Sequence, residues 1–360
     1  MRTTTGLLTA ALGAMIAATM PATAQQMGKT VIRTSATKPY RFRHSRLAVP
    51  TVLDGIPRTS VEALGADELD VYARYERGND MITVYVYRQV SGAVPVWFDR
   101  ARHSVETRTD LFGTVTPAMA PAAFTPPGQT TPSGLIGAWS ITKPPYRGTA
   151  LALLPLGEWL VKVRYSSSTL DGAGVAARMP AVLAALDWPK NVATGPAAQP
   201  IADCATPLTF PTTAQPVRDE QALTSAAITG GLFASLLAKA TPEPAATSVL
   251  WCRDPAPARV GGVYRANAAT DAYLLAFTDS GRGASVAPDA MGVLLDEKAP
   301  PRWSVSLDDL GATTSYPPMT ALPRPDQVIA ALEGPALSRT STWGKKRQVD
   351  VNSAMVGSGK

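Results

Sequence analysis

Three side chains that could support acid–base or metal chemistry lie close together in the sequence: Asp99, His103 and Glu106. They are four and three residues apart, so an α-helix would place them on one face. The chain contains two histidines, and His44, the other one, is far from this group in the sequence. A carboxylate beside an imidazole can orient a general base or complete a metal site. The three residues are therefore candidate catalytic residues.

The same stretch also fits a structural interpretation. Arg100 and Arg102 are interleaved with the three residues, as on a solvated helix surface held by ion pairs. The sequence has no Gly-x-Ser-x-Gly elbow and no His-Glu-x-x-His motif, which are common signatures of hydrolases. We expect no cofactor and no metal site. Whether the protein is an enzyme stays open at this point, with the balance towards a non-catalytic role.

Residues 1–24 have the organisation of a signal peptide. Arg2 precedes an apolar stretch at residues 7–20, and Ala22-Thr23-Ala24 forms a small-x-small cleavage site. An uncleaved membrane anchor is the alternative, but the apolar stretch is shorter than a membrane-spanning helix needs. We therefore expect cleavage after residue 24 and a periplasmic or secreted protein. No later segment is long and apolar enough to predict a transmembrane helix.

The two cysteines, Cys204 and Cys252, take their meaning from this predicted location. In an oxidising compartment a pair of thiols is commonly joined as a disulfide. A bridge between them would stabilise the fold by about 4 kcal/mol if it acts through the entropy of the unfolded chain. The alternative is two separate thiols, and the spacing alone leaves both open.

The formal net charge of +6 is concentrated at the two ends of the chain. Residues 25–53 contain six basic residues and no acid, and residues 337–360 contain five basic residues and one acid. The basic candidates for binding are Arg41, Arg43, Arg46, Lys345, Lys346 and Arg347. Such ends could attract an envelope protein or an anionic polymer, or could simply be charged, loosely ordered termini. Nucleic acid is not expected, because a single aromatic residue, Phe42, lies within the first cluster.

The elements that must position these residues begin with a hairpin. Alternating apolar residues predict strands at 69–76 and 81–90, with Gly78-Asn79-Asp80 as the turn. A helix over 95–111 follows, and it would carry the candidate catalytic residues. Residues 113–133, which are rich in proline, predict a loop.

Further along, strands are predicted at 135–142, 150–154 and 158–165, and then a helix from Ser168 to Leu186. Ser168 and Asp171 have the spacing of a capping box at the start of that helix. The predicted fold class is therefore α+β, an antiparallel sheet with helices on one face.

The whole chain is predicted to divide into six parts: a signal peptide (1–24), a basic mobile arm (25–49), an α+β domain (50–190), a linker rich in proline, alanine and threonine (191–249), a small β-rich domain (250–350) and a flexible tail (351–360). The linker contains one predicted helix, at 219–239. In the second domain four strands are predicted between 262 and 307, with a helix that starts at Pro325.

The aromatic residues of the first domain allow one further hypothesis about a binding site. Trp97, Phe98 and Trp159 could line a groove between helix and sheet that accepts an apolar or glycan ligand. The alternative is that these large rings are simply part of the core.

Segments around Tyr85-Val86-Tyr87-Arg88, Val96 to Arg100, Trp159 to Arg164 and Ala184 to Pro189 resemble uncharacterised exported proteins of proteobacteria. The order of elements over residues 50–190 is also similar, more distantly, to PsbP-like α+β domains. The resemblance implies an accessory or docking role and supplies no catalytic residues. We therefore expect a non-catalytic envelope interaction module. The alternative is an envelope hydrolase or metal-dependent enzyme of unrecognised type.

Overall fold

The computed structural model describes residues 28–65, 67–190, 192–210, 212–237, 249–255, 261–289, 300–345 and 348–356. The predicted signal peptide, Lys346 and Arg347 lie outside these residues. The protein is mostly β, with 40% of its residues in strands and 17% in helices. Two nine-stranded sheets form the body. The predicted α+β class is therefore wrong, and strands occupy stretches where the sequence predicts loop, arm or linker.

The first sheet is antiparallel, and its strand order is β1-β5-β6-β7-β11-β10-β9-β8, with β4 paired to β5 at one side. Its strands are β1 (Lys29–Val31), β4 (Val52–Leu53), β5 (Ile56–Leu64), β6 (Asp70–Arg77), β7 (Asp80–Arg88), β8 (Val115–Phe124), β9 (Gly134–Ile141), β10 (Gly148–Leu156) and β11 (Trp159–Ser167). The predicted hairpin is confirmed as β6–β7, with Arg77 opposite Asp80. Gly78 provides the positive φ of 60° that the turn needs.

Strand β8 is the clearest departure from the sequence-based prediction, because it occupies the stretch predicted as a proline-rich loop. It pairs with β9 on one side only, and its register shifts beside Pro117 and again before Ala122. Proline lacks an N–H donor, and an edge strand with bulges can tolerate that loss. The prolines therefore mark an edge of the sheet rather than the absence of a strand.

The two faces of the first sheet differ in chemistry. One face, the apolar face, carries buried residues such as Val71, Val84 and Val163, and α3 (Gly172–Ala184) packs on it. The opposite face, the polar face, carries Tyr85 and Lys162, which stand opposite each other on β7 and β11. Burying each aliphatic side chain of the apolar face is worth about 1.5–3 kcal/mol.

Helix α1 (Val94–Glu106) packs on the polar face, where Phe98 lies against Gly137 and Glu106 accepts a hydrogen bond from Trp139. Helices therefore cover both faces, and the prediction of a single helix-covered face is wrong. Short α2 (Thr109–Phe112) follows α1. The cap of α3 is Asp171, whose Oδ1 accepts from the Gly174 amide at 2.8 Å, rather than Ser168.

The described part of the predicted N-terminal arm packs on the first sheet. Short strands β2 (Tyr40–Arg41) and β3 (Ala48–Val49) pair with each other. Phe42, Leu47 and Val49 are buried in the main core. The backbone of Ala48 exchanges hydrogen bonds with Asp187. Residues 28–49 are therefore joined to the first sheet by both packing and hydrogen bonds.

The second sheet runs in chain order from β12 to β20. Its strands are β12 (Ala202–Asp203), β13 (Trp251–Asp254), β14 (Gly262–Ala266), β15 (Tyr273–Ala276), β16 (Gly283–Pro288), β17 (Trp303–Asp309), β18 (Ala312–Met319), β19 (Ser338–Ser341) and β20 (Val349–Val351). All neighbours are antiparallel except β12 and β13. The predicted helix at Pro325 is confirmed as α5 (Pro325–Leu332), which packs on the apolar core of this sheet.

The predicted linker contributes to the second unit. Its helix is confirmed as α4 (Glu220–Leu237), which packs against β18 and β19. Strand β12 also comes from this region, and the predicted disulfide is confirmed between Cys204 and Cys252, joining the linker to β13. Within the described residues no helix has the length and hydropathy that crossing a membrane would require.

Candidate functional site

The three predicted catalytic residues, Asp99, His103 and Glu106, have different environments in the structure. Asp99 is buried, and its carboxylate accepts from Arg102 Nη2 at 2.6 Å, Arg253 Nη1 at 3.0 Å and Tyr264 Oη at 2.8 Å. Arg253 and Tyr264 belong to the second unit. Burial and the neighbouring Asp99 raise the pKa of Tyr264, so its hydroxyl stays protonated and donates. Asp99 therefore holds the two units together.

Glu106 and His103 do not join Asp99 in a shared site. Glu106 accepts a hydrogen bond from Trp139 Nε1 at 3.1 Å and lies 3.6 Å from Arg102. His103 is exposed, and partial desolvation and Arg100 lower its pKa. Among the described residues no group of three or more His, Cys, Asp or Glu side chains could hold a metal ion.

The basic candidates at the N-terminal end are partly paired. Arg41 lies 2.7 Å from Asp187, and Arg43 lies 3.7 Å from Glu68. Arg46 is exposed and has no ion pair within the described part of the chain. Lys345, at the other end of the chain, is exposed as well.

An aromatic cluster brings these two ends of the chain to one place. The ring of His44 stacks on Trp159, with centroids 5.8 Å apart, and meets Trp343 edge to face at 4.9 Å. Arg43 and Arg46 therefore lie within two residues of one contacting ring, and Lys345 lies within two residues of the other. We call Arg43, Arg46 and Lys345 the joined basic surface. Sequence reasoning identified the residues but not their juxtaposition.

Trp97 belongs to the core, as the alternative interpretation held. It is fully buried, and its Nε1 donates to the Ser91 carbonyl at 2.9 Å. Trp159 is also buried, beneath His44 and Trp343. These rings therefore contribute to the packing of the elements, and their burial gives no support to the predicted ligand groove.

A second concentration of charge lies on the polar face, and sequence reasoning missed it. Lys162 and Arg164 alternate with Val161 and Val163 along β11, so both cations project from the same face. Their cross-strand partners on β7 are Tyr85 and Thr83. This alternation is the signal that could have identified the site.

We call the group formed by Arg108, Phe112, Tyr146, Lys162, Arg164 and Asp279 the cationic cleft. Arg164 lies over the ring of Phe112, with its Cζ 5.2 Å from the centroid. Lys162 lies over the Tyr85 ring at 4.6 Å and meets the Asp279 carboxylate at 2.8 Å. Asp279 comes from the turn between β15 and β16, so the cleft includes residues of both units.

The electrostatics of the cationic cleft are unbalanced. Burial, and then the neighbouring Arg108, lower the pKa of Arg164. Burial alone would raise the pKa of Asp279, but Lys162, Arg164 and Arg108 together lower it, so the carboxylate is ionised at neutral pH. Nε and Nη2 of Arg164 are buried, and no described residue accepts a hydrogen bond from either of them. Leaving a buried donor unpaired costs about 1–3 kcal/mol, and more for a charged group.

Comparison of the chain with protein-family models, with curated proteins and with solved structures found no match. The resemblance to PsbP-like domains and to exported proteobacterial proteins therefore stays a prediction.

Proposed function

We propose that the protein is an exported, non-catalytic accessory module that docks on an acidic protein of the cell envelope through the joined basic surface. The observation that carries the proposal is the contact between His44 and Trp343, whose centroids are 4.9 Å apart. It brings together the basic residues from two ends of the chain, so their charges act on one partner.

The small number of exposed cations on the joined basic surface favours a protein partner over a long anionic polymer. Arg43 is only loosely paired, at 3.7 Å from Glu68, and Arg46 and Lys345 are exposed. A few cations suit a small set of carboxylates, whereas a polymer is bound by a longer track of positive charge. The disulfide and the sequence of residues 1–24 support an exported location.

The rival interpretation, an envelope hydrolase or metal-dependent enzyme at Asp99, His103 and Glu106, gains no support from the site geometry. The Asp99 carboxylate accepts hydrogen bonds from two arginines and a tyrosine, and Glu106 accepts one from Trp139. His103→Ala is therefore expected to leave the function of the protein unchanged, measured by complementation of a strain that lacks it. Failure of this variant to complement, with stability unchanged, would favour the enzyme.

Cross-linking of the purified protein in envelope extract tests the docking proposal. The wild type should capture one envelope protein in a stoichiometric complex, and the double variant Arg46→Glu, Lys345→Glu should lose it. Arg147→Glu is the matched control, since Arg147 is exposed but lies outside the joined basic surface. Equal capture of the envelope protein by all three proteins would contradict the proposal. Capture of a polysaccharide or lipid in place of a protein would show that the partner is not an acidic protein.

A further inference from the structure

We propose that the cationic cleft is a binding site for a compact oxyanion, the carboxylate or phosphate group of a small ligand, with Arg164 as its main contact. This site shares no residue with the joined basic surface, and the inference does not depend on the docking proposal. It begins from the two N–H donors of Arg164, at Nε and Nη2, which are buried and have no hydrogen-bond partner among the described residues.

The positions of these donors specify the geometry of the missing acceptor. Nε and Nη2 lie on the same edge of the guanidinium plane, and their N–H bonds form a fork. That fork matches two oxygens of one carboxylate or phosphate. A single oxygen can accept from both donors, as Asp203 Oδ1 does from Nε and Nη2 of Arg253. An oxyanion can instead offer one oxygen to each N–H and also neutralise the charge of the guanidinium.

The charges around Arg164 favour an anion over a neutral acceptor. Arg108 is close enough to lower the pKa of Arg164, and Lys162 lies next to it in the strand pattern. Two acids lie near these cations: Asp279, whose carboxylate lies 2.8 Å from Lys162, and the buried Asp70, which pairs with Arg282 at 3.0 Å. Because Asp70 is already paired with Arg282, the positive charge of Arg108, Lys162 and Arg164 still exceeds the negative charge of Asp279 in a partly desolvated site, where electrostatic attraction for an anion is strong.

The aromatic residues hold the guanidinium in place before a ligand arrives. Arg164 lies over Phe112, and Phe112 meets Tyr146 edge to face with centroids 5.8 Å apart. Cation–π contacts of this kind favour one orientation of the planar group. A fork that is already oriented loses less entropy when it binds its ligand.

Asp279 acts in this account as an internal competitor for the ligand. Its carboxylate forms an ion pair with Lys162, and its backbone carbonyl also accepts a hydrogen bond from Lys162 Nζ at 3.0 Å. Neutralising the Asp279 side chain would break its ion pair with Lys162 and remove a repulsive charge next to the incoming anion. Asp279→Asn should therefore bind the same anion more tightly, by about threefold.

The experiment is isothermal titration of the purified protein with inorganic phosphate and, separately, with succinate, at constant ionic strength. We expect saturable binding of at least one probe by the wild type, and the probe that binds identifies phosphate or carboxylate as the source. Arg164→Gln should abolish this binding, and Arg164→Lys, which keeps the charge but lacks the fork, should weaken it. Arg147→Gln is the control, and it should bind as the wild type does.

Two results would overturn the inference. One is the absence of saturable binding of both probes to the folded wild type, and the other is unchanged affinity in both Arg164 variants. Folding of the variants is checked by their thermal unfolding. Arg164→Gln removes a buried, unpaired charge, so its unfolding temperature should equal or exceed that of the wild type without ligand. Equal affinity of Asp279→Asn and the wild type would contradict the competitor role alone.

Discussion

Nη1 of Arg253 lies 3.0 and 3.1 Å from the two carboxylate oxygens of Asp99, joining α1 of the first unit to β13 of the second. The same arginine also contacts Asp203 on β12 at 2.7 Å. Tyr264 donates a further hydrogen bond to Asp99 from β14. Asp99 is thus the acceptor for donors that come from two neighbouring strands of the second sheet.

Removing the charge of Asp99 should destabilise the folded protein. Asp99→Asn leaves Arg253 and Arg102 facing an amide, and the loss of one partner from a buried ion pair is costly. Because Arg253 is partly exposed, we expect a loss of about 2–3 kcal/mol in the free energy of unfolding. Denaturant unfolding of the variant measures this loss.

The matched control for Asp99 is His103→Ala, on the same helix. His103 is exposed, and the variant should unfold within about 0.5 kcal/mol of the wild type. Equal stability of Asp99→Asn and the wild type would show that Asp99 does not join the two units. Such a result would also reopen a functional role for its carboxylate.

The disulfide should make a separate contribution to stability. The disulfide joins Cys204, in the N-terminal part of the predicted linker, to Cys252 in β13. Replacing both cysteines by alanine removes the cross-link from the unfolded chain as well as from the folded protein. We expect the free energy of unfolding to fall by about 2–4 kcal/mol. Unfolding of the double variant, compared with that of the wild type with and without dithiothreitol, checks this value. The variant should be insensitive to the reductant, and equal sensitivity would contradict the assignment.

Asp308 should make the folded protein less stable as the pH rises. A carboxylate in a salt bridge has the opposite effect, because its pKa is lowered on folding. Burial raises the pKa of Asp308 from 3.8, although Ser285 and Thr313 donate hydrogen bonds to it at 2.9 and 3.0 Å. The native state therefore holds the proton more tightly than the unfolded chain does. Its contribution to stability is greatest at acidic pH and decreases as pH rises through the folded pKa.

Asp308→Asn removes this titration. The difference in unfolding free energy between the variant and the wild type should shift in favour of the variant as the pH rises from 4 to 7. Denaturant unfolding at several pH values measures the difference, in which the contributions of other groups cancel. A difference that is constant with pH, or that shifts in favour of the wild type, would contradict a raised pKa.

Local signals in the sequence predicted individual elements well. The β6–β7 hairpin, α1, α4, α5 and the disulfide all follow from alternation, helical spacing, proline positions and cysteine chemistry. Strand β8 did not, because Pro117 and Pro121 suggest a loop until an edge position is known. The fold class was wrong because strands at residues 29–64 and 312–351 were also missed.

The sites depended on contacts between distant residues, which single-sequence patterns do not contain. His44 and Trp343 are about 300 positions apart and meet only through the packing of both units. Lys162 and Arg164 alternate visibly in the sequence, but their surroundings come from Arg108 and α2, from Tyr146 and from the turn at Asp279. Asp99 was identified as a reactive residue, yet its partners lie in the other unit.

The salt dependence of the complex tests the joined basic surface most directly. The affinity of the purified protein for its captured envelope partner should fall as salt rises, because Arg43, Arg46 and Lys345 act through screened charges. The double variant Arg46→Glu, Lys345→Glu should bind weakly at low salt and show little further loss. An affinity of the wild type that does not change with salt would contradict docking through these residues.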